Sequence, residues 1–370
     1  MNPFKYGQIV SESDYCPRSL LMRELTGHIK AGQNVLIQGE RRTGKTSLIF
    51  DACGHLKTYH PLFIDLLEVK TLEDVVRRFA NAWISKEQKV GMIEKIMKNL
   101  AHLRPKVTLD PMTGEPSWEL EMAQMAKPDT LEALLDMNER EGKNKHLVVV
   151  FDEFQDILNL ENAKQILAVM RSKIQFHAKT PYLFAGSIRN KMDEIFTHPD
   201  SAFFKSAIPM TVGAIERSIF SNFLLSKFKT GKRKVDPDFW PIVFSTVDDN
   251  PGDVQQICSA LWEVTECGQK IDQLTLEQAT QLIFARESKT YESLLVPITG
   301  LQLRCLVGLA QNGPDKTLSA RFLSLTGISN AGSVRKALLR LMNLKMIFQT
   351  KEGYKFANPF FKQWLLYKKY

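Results

Sequence analysis

The sequence has few of the features that mark secreted, metal-bound or membrane-spanning chains. Its five cysteines (Cys16, Cys53, Cys258, Cys267 and Cys305) are odd in number and form no CxxC pair, which argues against both a zinc site and a disulfide framework. They read as reduced thiols, mostly in the core. No apolar run approaches the roughly 18 residues that span a bilayer, and the opening Met1-Asn2-Pro3-Phe4-Lys5-Tyr6 lacks a signal-peptide pattern. The expectation is a cytoplasmic chain with no membrane partner. No internal repeat or low-complexity tract stands out. What remains is a globular composition, 44% hydrophobic and 24% charged, over 370 residues, too long for one ordinary domain.

Negative charge is scarce at the C-terminal end. Residues 301–370 hold twelve Lys or Arg against only Asp315 and Glu352, a balance of +10 within a chain of +8, so residues 1–300 carry −2. A basic excess confined to one terminal module is the distribution of a nucleic-acid-binding appendage.

Two motifs carry chemistry. Gly39-Glu40-Arg41-Arg42-Thr43-Gly44-Lys45-Thr46-Ser47 follows the apolar run Asn34-Val35-Leu36-Ile37-Gln38 and precedes Leu48-Ile49-Phe50, giving strand, glycine-bearing loop and helix. The two glycines let successive backbone N–H groups curl round phosphates, and the helix aims its positive dipole end at them. In such a P-loop, Lys45 reaches the β- and γ-phosphates and Thr46 offers its hydroxyl to Mg²⁺. Downstream, His146-Leu147-Val148-Val149-Val150-Phe151-Asp152-Glu153 is an apolar run ending in two acids, a Walker B strand. Asp152 is expected to hold the Mg²⁺ shell and Glu153 to polarise the attacking water. The plainer alternative, a buried strand whose acids cap a helix beginning near Phe154, loses ground beside an intact P-loop.

Strand signals recur at Pro61–Leu66, Tyr182–Ser187 and near Ile208–Met210, with helical patterning at Thr71 to about Leu100, Leu131–Arg140 (capped by Asp129-Thr130 and ended at Gly142) and Ala163–His177. Alternating strands and helices imply an α/β fold with a parallel sheet. The Arg104–Pro116 stretch, with Asp110-Pro111 and Thr113-Gly114, reads as turn-rich inside an insertion-sized interval, 86–140; the Arg104–Trp118 piece is either plain loop or an excursion or contact surface. Domains are expected at 1–212 (core, with 1–30 as an N-terminal segment), 213–290 (helical lid) and 291–370. The last has the order of a winged helix-turn-helix: helices at 302–310, 319–325 and 331–344, then a hairpin of Met346–Gln349 and Tyr354–Phe356. Ser333, Arg335, Lys336 and Arg340 on the third helix, with Lys351 and Lys355 on the wing, are candidate contacts to duplex DNA. Packing against a protein partner is the alternative.

This order resembles the AAA+ ATPases: a P-loop NTPase core with parallel sheet, helical lid and C-terminal winged helix-turn-helix domain. More narrowly, the chain is similar to the archaeal-type ATPase family of the STAND-related branch, cousins of archaeal origin-recognition initiators. The residues that carry the likeness are Asn2-Pro3-Phe4 with Cys16-Pro17-Arg18, the doubled Arg41-Arg42, Phe63-Ile64-Asp65, Asp152-Glu153-Phe154-Gln155, Phe184-Ala185-Gly186-Ser187 and Asn358-Pro359-Phe360-Phe361-Lys362-Gln363-Trp364-Leu365. The resemblance implies that Ser187 is a sensor bonding the γ-phosphate or the water, although a strand-end Ser capping the next helix reads the same way. It further implies that Phe4 to Arg18 line the adenine side, with Arg18 among the nucleotide contacts, and that Asn250-Pro251 sits in a nucleotide-sensing lid motif. One departure is the segment before the last strand, where relatives carry an arginine for a neighbouring subunit's γ-phosphate and Ser201–Ser206 offers only Lys205. Lysine is a point charge that cannot make the bidentate fork. Arg171 and Arg189 are the other candidates.

The resulting expectation is a slow, Mg²⁺-dependent ATPase that couples nucleotide state to lid and winged-helix movement, with DNA as partner. The alternative is a STAND-like switch that holds ATP and forms a homo-oligomer or binds a protein without DNA.

Overall fold

The computed structural model describes residues 1–10, 12–87, 103–109, 116–122, 127–187, 189–313, 319–350, 353–368 and 370. The chain divides into two compact units, Ile9–Gly213, and Met1–Gln8 with Ala214–Tyr370.

The first unit runs α1 (Ser19–Lys30), β1 (Val35–Gln38), α2 (Lys45–His55), β2 (His60–Asp65), α3 (Leu72–Glu87), β3 (Leu103–Leu109), β4 (Pro116–Met122), α4 (Pro128–Lys145), β5 (Leu147–Asp152), α5 (Ala163–Ile174), β6 (Tyr182–Gly186), α6 (Arg189–Phe196) and β7 (Ile208–Thr211). Five strands form one parallel sheet in the order β2-β5-β6-β1-β7. Because successive side chains on a strand point to opposite faces, the apolar runs fill two cores at once. Val149 and Phe151 pack with Leu36, Phe184 and the helices α3, α4 and α5. Val148 and Val150 face the other way, onto Val35, Ile37, Leu183 and the buried faces of α1 and α2. A strand buried on both faces needs no polar alternation, which is why Leu147–Phe151 is continuously apolar.

Three local readings of the sequence are corrected. The Arg104–Pro116 stretch is not simply turn-rich: β3 and β4 pair antiparallel from Leu103 opposite Met122 to Leu109 opposite Pro116. Pro105 and Pro116 disguise the strands, yet in a two-stranded ribbon each strand has an open edge where proline is tolerated. Asp110-Pro111 and Thr113-Gly114 lie outside the described residues. Gly142 does not end its helix, because α4 continues to Lys145 and stops where His146 turns left-handed at φ 47°. A Cβ at Gly142 would stand 2.0 Å from the Thr180 hydroxyl, so that glycine permits a close helix-to-loop approach. Nor do Asp129-Thr130 cap α4; its N-cap is Lys127, with Pro128 at the first helical position and no side-chain cap bond.

The second unit is helical: α7 (Arg217–Thr230), β8 (Lys234–Val235), α8 (Trp240–Thr246), α9 (Pro251–Val264), β9 (Lys270–Ile271) and α10 (Gln273–Leu295). The winged helix follows as α11 (Gly300–Asn312), α12 (Ala320–Thr326), α13 (Ala331–Asn343), β10 (Ile347–Thr350), β11 (Gly353–Phe356) and α14 (Pro359–Lys368). Residue 290, where the sequence reading sets a boundary, lies inside the continuous α10. That helix serves both modules, since Tyr291 meets Phe361 and Trp364 with ring centroids 5.5 Å apart and Phe284 meets Tyr367 at 5.5 Å. The first eight residues also belong to this unit rather than to the core. Asn2 donates to the Ser259 carbonyl at 3.1 Å and its hydroxyl at 2.9 Å, and Phe4 is buried with its ring 4.5 Å from that of Phe228. Among the described residues no helix is long and apolar enough to cross a membrane.

Beneath the sheet, Trp83 Nε1 donates to Asn138 Oδ1 at 3.0 Å, Asn138 Nδ2 donates to the Tyr182 hydroxyl at 3.3 Å, and that hydroxyl lies 2.7 Å from His177 Nδ1. Burial holds the His177 imidazole below its ordinary value of 6.5, against the pull of Glu139 and Asp136 and with Lys173 and Lys143 adding to the depression. The unfolded chain therefore binds the proton more readily, so this contribution to stability is whole above about 6.5 and is lost as pH falls from there through the lower folded-state value. Thermal unfolding between pH 8 and pH 5 should show wild type losing more stability than His177→Gln, which has no group to charge; parallel curves would refute this.

Candidate functional site

The site is built at the C-terminal ends of β1, β5 and β6, the edge at which open parallel sheets receive ligands. The loop after β1 passes close to the end of β7. A Cβ at Gly39 would lie 2.2 Å from the Val212 carbonyl oxygen, so only glycine fits there. Arg42 and Gly44 have positive φ, 65° and 84°, and Thr43 Oγ1 donates to the Glu40 carbonyl at 2.9 Å. Arg41 and Arg42 are exposed, while Thr43, Lys45 and Ser47 are buried. Lys45 opens α2 and donates through Nζ to the carbonyls of Gly39 at 3.0 Å and Glu40 at 2.9 Å. Burial lowers the Lys45 pKa, an effect opposed by Glu153, Asp152 and Glu40 and reinforced by Arg41.

Thr46 Oγ1 donates to Asp152 Oδ2 at 2.8 Å, while Asp152 Oδ1 accepts from the Glu153 N–H at 3.0 Å. Burial and the neighbouring Glu153 charge raise the Asp152 pKa, against the Thr46 and Glu153 hydrogen bonds and the Lys45 charge. Glu153 has φ 50° and ψ 41°, a left-handed conformation that costs an ordinary residue about 1–3 kcal/mol. The turn Phe154–Asn159 that follows is a 3₁₀ helix. Its first side chain, Phe154, is fully buried with ring centroids 4.7 Å from Phe184, 5.6 Å from Phe203 and 5.8 Å from Phe196. Aromatic pairs contribute about 0.5–1.5 kcal/mol each beyond burial, enough to hold the strained turn. Ser187, just past β6, donates to Glu153 Oε2 at 2.7 Å.

Lys45, Thr46, Asp152, Glu153 and Ser187 thus lie together at this edge. Arg18 joins them from the start of α1: its Nη2 donates to the Thr43 carbonyl at 2.6 Å and its Nη1 to that of Gly213 at 2.8 Å. Burial depresses its pKa. Ser47 accepts from the Val10 N–H at 3.2 Å. Pro251 is the first residue of α9 in the other unit, with Asn250 Oδ1 capping from the Gly252 N–H at 3.1 Å. Of the candidate trans charges, Arg171 is half-buried on α5, and Lys205 is exposed with φ 52° and its Nζ 5.2 Å from the Phe204 ring centroid. The side chain of Arg189, at the start of α6, lies outside the described residues.

Sequence reasoning gave one residue here no role. Gln155 is buried and donates through Nε2 to Glu153 Oε2. Its signal in the sequence is its place in Asp152-Glu153-Phe154-Gln155, one of the segments that carry the family likeness.

In the winged helix, α13 buries Val334, Ala337, Leu338 and Leu341 and exposes Arg335, Lys336 and Arg340, with Ser333 half-buried. Its N-cap is Asn330, whose Oδ1 accepts from the Gly332 N–H at 2.7 Å. Lys355 on β11 is half-buried, and Lys351 lies outside the described residues.

A family model described as "Probable winged helix domain" matches residues 289–367. The whole chain is similar to a solved Walker-type ATPase of Pyrococcus abyssi, with TM-score 0.68, 17% identity, and coverage of 98% of this chain and 99% of that one. This chain shares that protein's fold, a parallel α/β sheet followed by helices and a C-terminal winged helix. The Aeropyrum pernix ORC1 protein, solved in complex with DNA, is similar at TM-score 0.52 and 12% identity, covering 96% of this chain and 94% of its own. No curated protein matches the sequence significantly.

Arg18 gives a direct test of P-loop support. Hydrogen bonds to charged groups contribute about 1.5–3 kcal/mol, so Arg18→Ala should lower unfolding stability by about that much in denaturant titration. Arg18→Lys should recover only part, because an ammonium lacks the planar fork that reaches both carbonyls; wild-type stability in Arg18→Ala would contradict this support.

Proposed function

We propose that the chain binds ATP with Mg²⁺ and hydrolyses it slowly, and that nucleotide state biases contact between the winged helix and duplex DNA. The observation that carries the reading is the convergence of Lys45, the Thr46–Asp152 pair at 2.8 Å and the Glu153–Ser187 pair at 2.7 Å at one sheet edge. The residues fit both groups. Gly39 and Gly44 leave the loop backbone free to wrap phosphate, and among the described residues buried Lys45 bonds only loop carbonyls that an anion can replace. Thr46 and Asp152 supply the oxygen donors that Mg²⁺ requires, and the bound ion would neutralise charge on the phosphates.

In the reaction, Glu153 takes a proton from water as the water oxygen bonds the γ-phosphorus and the bond from that phosphorus to the β–γ bridging oxygen breaks, releasing ADP and phosphate. Lys45 stabilises charge on the phosphates, and Ser187 orients the γ-phosphate or the water. Exposed Arg335, Lys336 and Arg340, together with Lys355, support the DNA reading, and the ORC1 protein of similar fold was solved with DNA.

Lys45→Ala should lose ATP binding, whereas Glu153→Gln should bind ATP and turn over about 10²- to 10⁴-fold more slowly. Normal turnover by Glu153→Gln would remove the base assignment. For DNA, fluorescence anisotropy with a random duplex should show affinity falling on the order of 10²-fold between 50 and 200 mM salt if about four phosphates are contacted. ATP·Mg²⁺ should change the binding in wild type and not in Lys45→Ala. Absence of binding in every state would make the basic module a protein-contact surface.

A further inference from the structure

Gln155 is 1% exposed, and its amide can face a carboxylate in only one way, nitrogen first. That orientation leaves Gln155 Oε1 buried with no hydrogen-bond partner among the described residues. A fold selected for stability alone would fill such a position with an apolar side chain. The space is also shaped for the amide: a Cβ at Gly186 would lie 2.5 Å from Gln155 Oε1 and 2.5 Å from Met192 Sδ. Absence of a side chain on the residue before Ser187 is therefore what lets Gln155 reach under the strand end.

Gln155 Nε2 and Ser187 Oγ both donate to the same oxygen, Glu153 Oε2. Among the described residues Glu153 Oε1 takes no hydrogen bond, which leaves it for a proton from elsewhere. The two donors differ in what else they can do. A serine hydroxyl has one hydrogen, so Ser187 donates either to Glu153 or to a phosphate or water oxygen, never fully to both. Gln155, enclosed on the far side, has no such second acceptor.

We infer that Gln155 is a positioning residue for the general base, holding the Glu153 carboxylate in place when Ser187 turns its single hydroxyl hydrogen towards the nucleotide. The role rests on the proposed hydrolysis, and it explains why a buried acceptor is left unpaired beside the site. The strained backbone at Glu153 serves the same end, since φ 50° and the Phe154 anchor fix the main chain while Gln155 fixes the carboxylate.

The test is steady-state ATP hydrolysis by wild type, Gln155→Met, Gln155→Leu, Glu153→Gln and the double variant Glu153→Gln/Gln155→Met, with ATP affinity and melting temperature measured on each. Met keeps the length of the side chain and Leu its volume, so misfolding of one does not end the experiment. A misplaced catalytic group costs up to about 10²-fold in rate. The expected result is a kcat lower by about that factor in the Gln155 variants, with ATP affinity unchanged and melting temperature equal or higher. In the double variant the Gln155 change should add nothing, because the group it positions has gone. A merely structural role would instead lower the melting temperature and add in full to Glu153→Gln. Wild-type kcat in both Gln155 variants, or full additivity in the double variant, overturns the Gln155 role while leaving the ATPase reading intact. Wild type no faster than Glu153→Gln overturns the ATPase reading itself, and the positioning role with it.

Discussion

The parallel pairing of β6 between β1 and β5 is the constraint on which the site depends. Neighbouring strands lie about 4.8 Å apart, so the loop that follows β1 and the acids that end β5 are separated by about 10 Å with one strand end between them. Into that interval fall Ser187 from β6 and the side chains of Lys45 and Thr46 reaching across from α2. Had β5 paired directly with β1, no third strand end would stand between the glycine loop and Glu153, and the Ser187 bond to Glu153 would have no counterpart. The short Thr46–Asp152 bond and the Ser187–Glu153 bond are two consequences of one strand order.

Around that edge, the fold supports polar chemistry with apolar packing. The ring of Phe154 sits in a cluster with Phe184, Phe196 and Phe203, directly between the two residues, Glu153 and Gln155, whose side chains carry the carboxylate and its amide partner. Strain at Glu153 and the unpaired acceptor of Gln155 are tolerated because neighbouring burial outweighs them, each large apolar side chain contributing about 1.5–3 kcal/mol. On the loop side the same logic appears in Arg18, a buried cation whose guanidinium is satisfied by the carbonyls of Thr43 and Gly213. Gly213 is the last residue of the first unit, so this one side chain touches both the phosphate loop and the point where the chain leaves the core.

Three Asn-Pro steps organise the second unit by a single mechanism. Asn250 and Asn358 each precede a proline that opens a helix, and each side chain accepts from backbone N–H groups of the first turn: Asn250 from Gly252, Asn358 from Phe360 and Phe361. Asn2 does the same for the Phe4 N–H at 3.0 Å without a helix behind it. The proline lacks the donor that a first helical position would leave unpaired, and the asparagine satisfies one or two of those that remain. In α14 this cap aims Phe361 and Trp364 at Tyr291 of α10, which joins the winged helix to the helix before it and accounts for the aromatic ending of the chain.

By itself the sequence determined the elements whose chemistry is local. A glycine-bearing loop between an apolar strand and a helix, an apolar run ending in Asp152-Glu153, a basic amphipathic helix and the turns between them follow from backbone conformation and side-chain periodicity within a few residues. It did not determine the β3–β4 ribbon, where Pro105 and Pro116 hide the strands, nor the continuity of α4 through Gly142, whose reason is a contact with Thr180. The attachment of Met1–Gln8 to the second unit, the carbonyl partners of Arg18 and the placement of Gln155 against Glu153 were likewise decided only by tertiary structure. Each depends on which strand lies beside which and how closely two backbones approach, quantities set by packing between residues far apart in the chain, and no local pattern of residues encodes them.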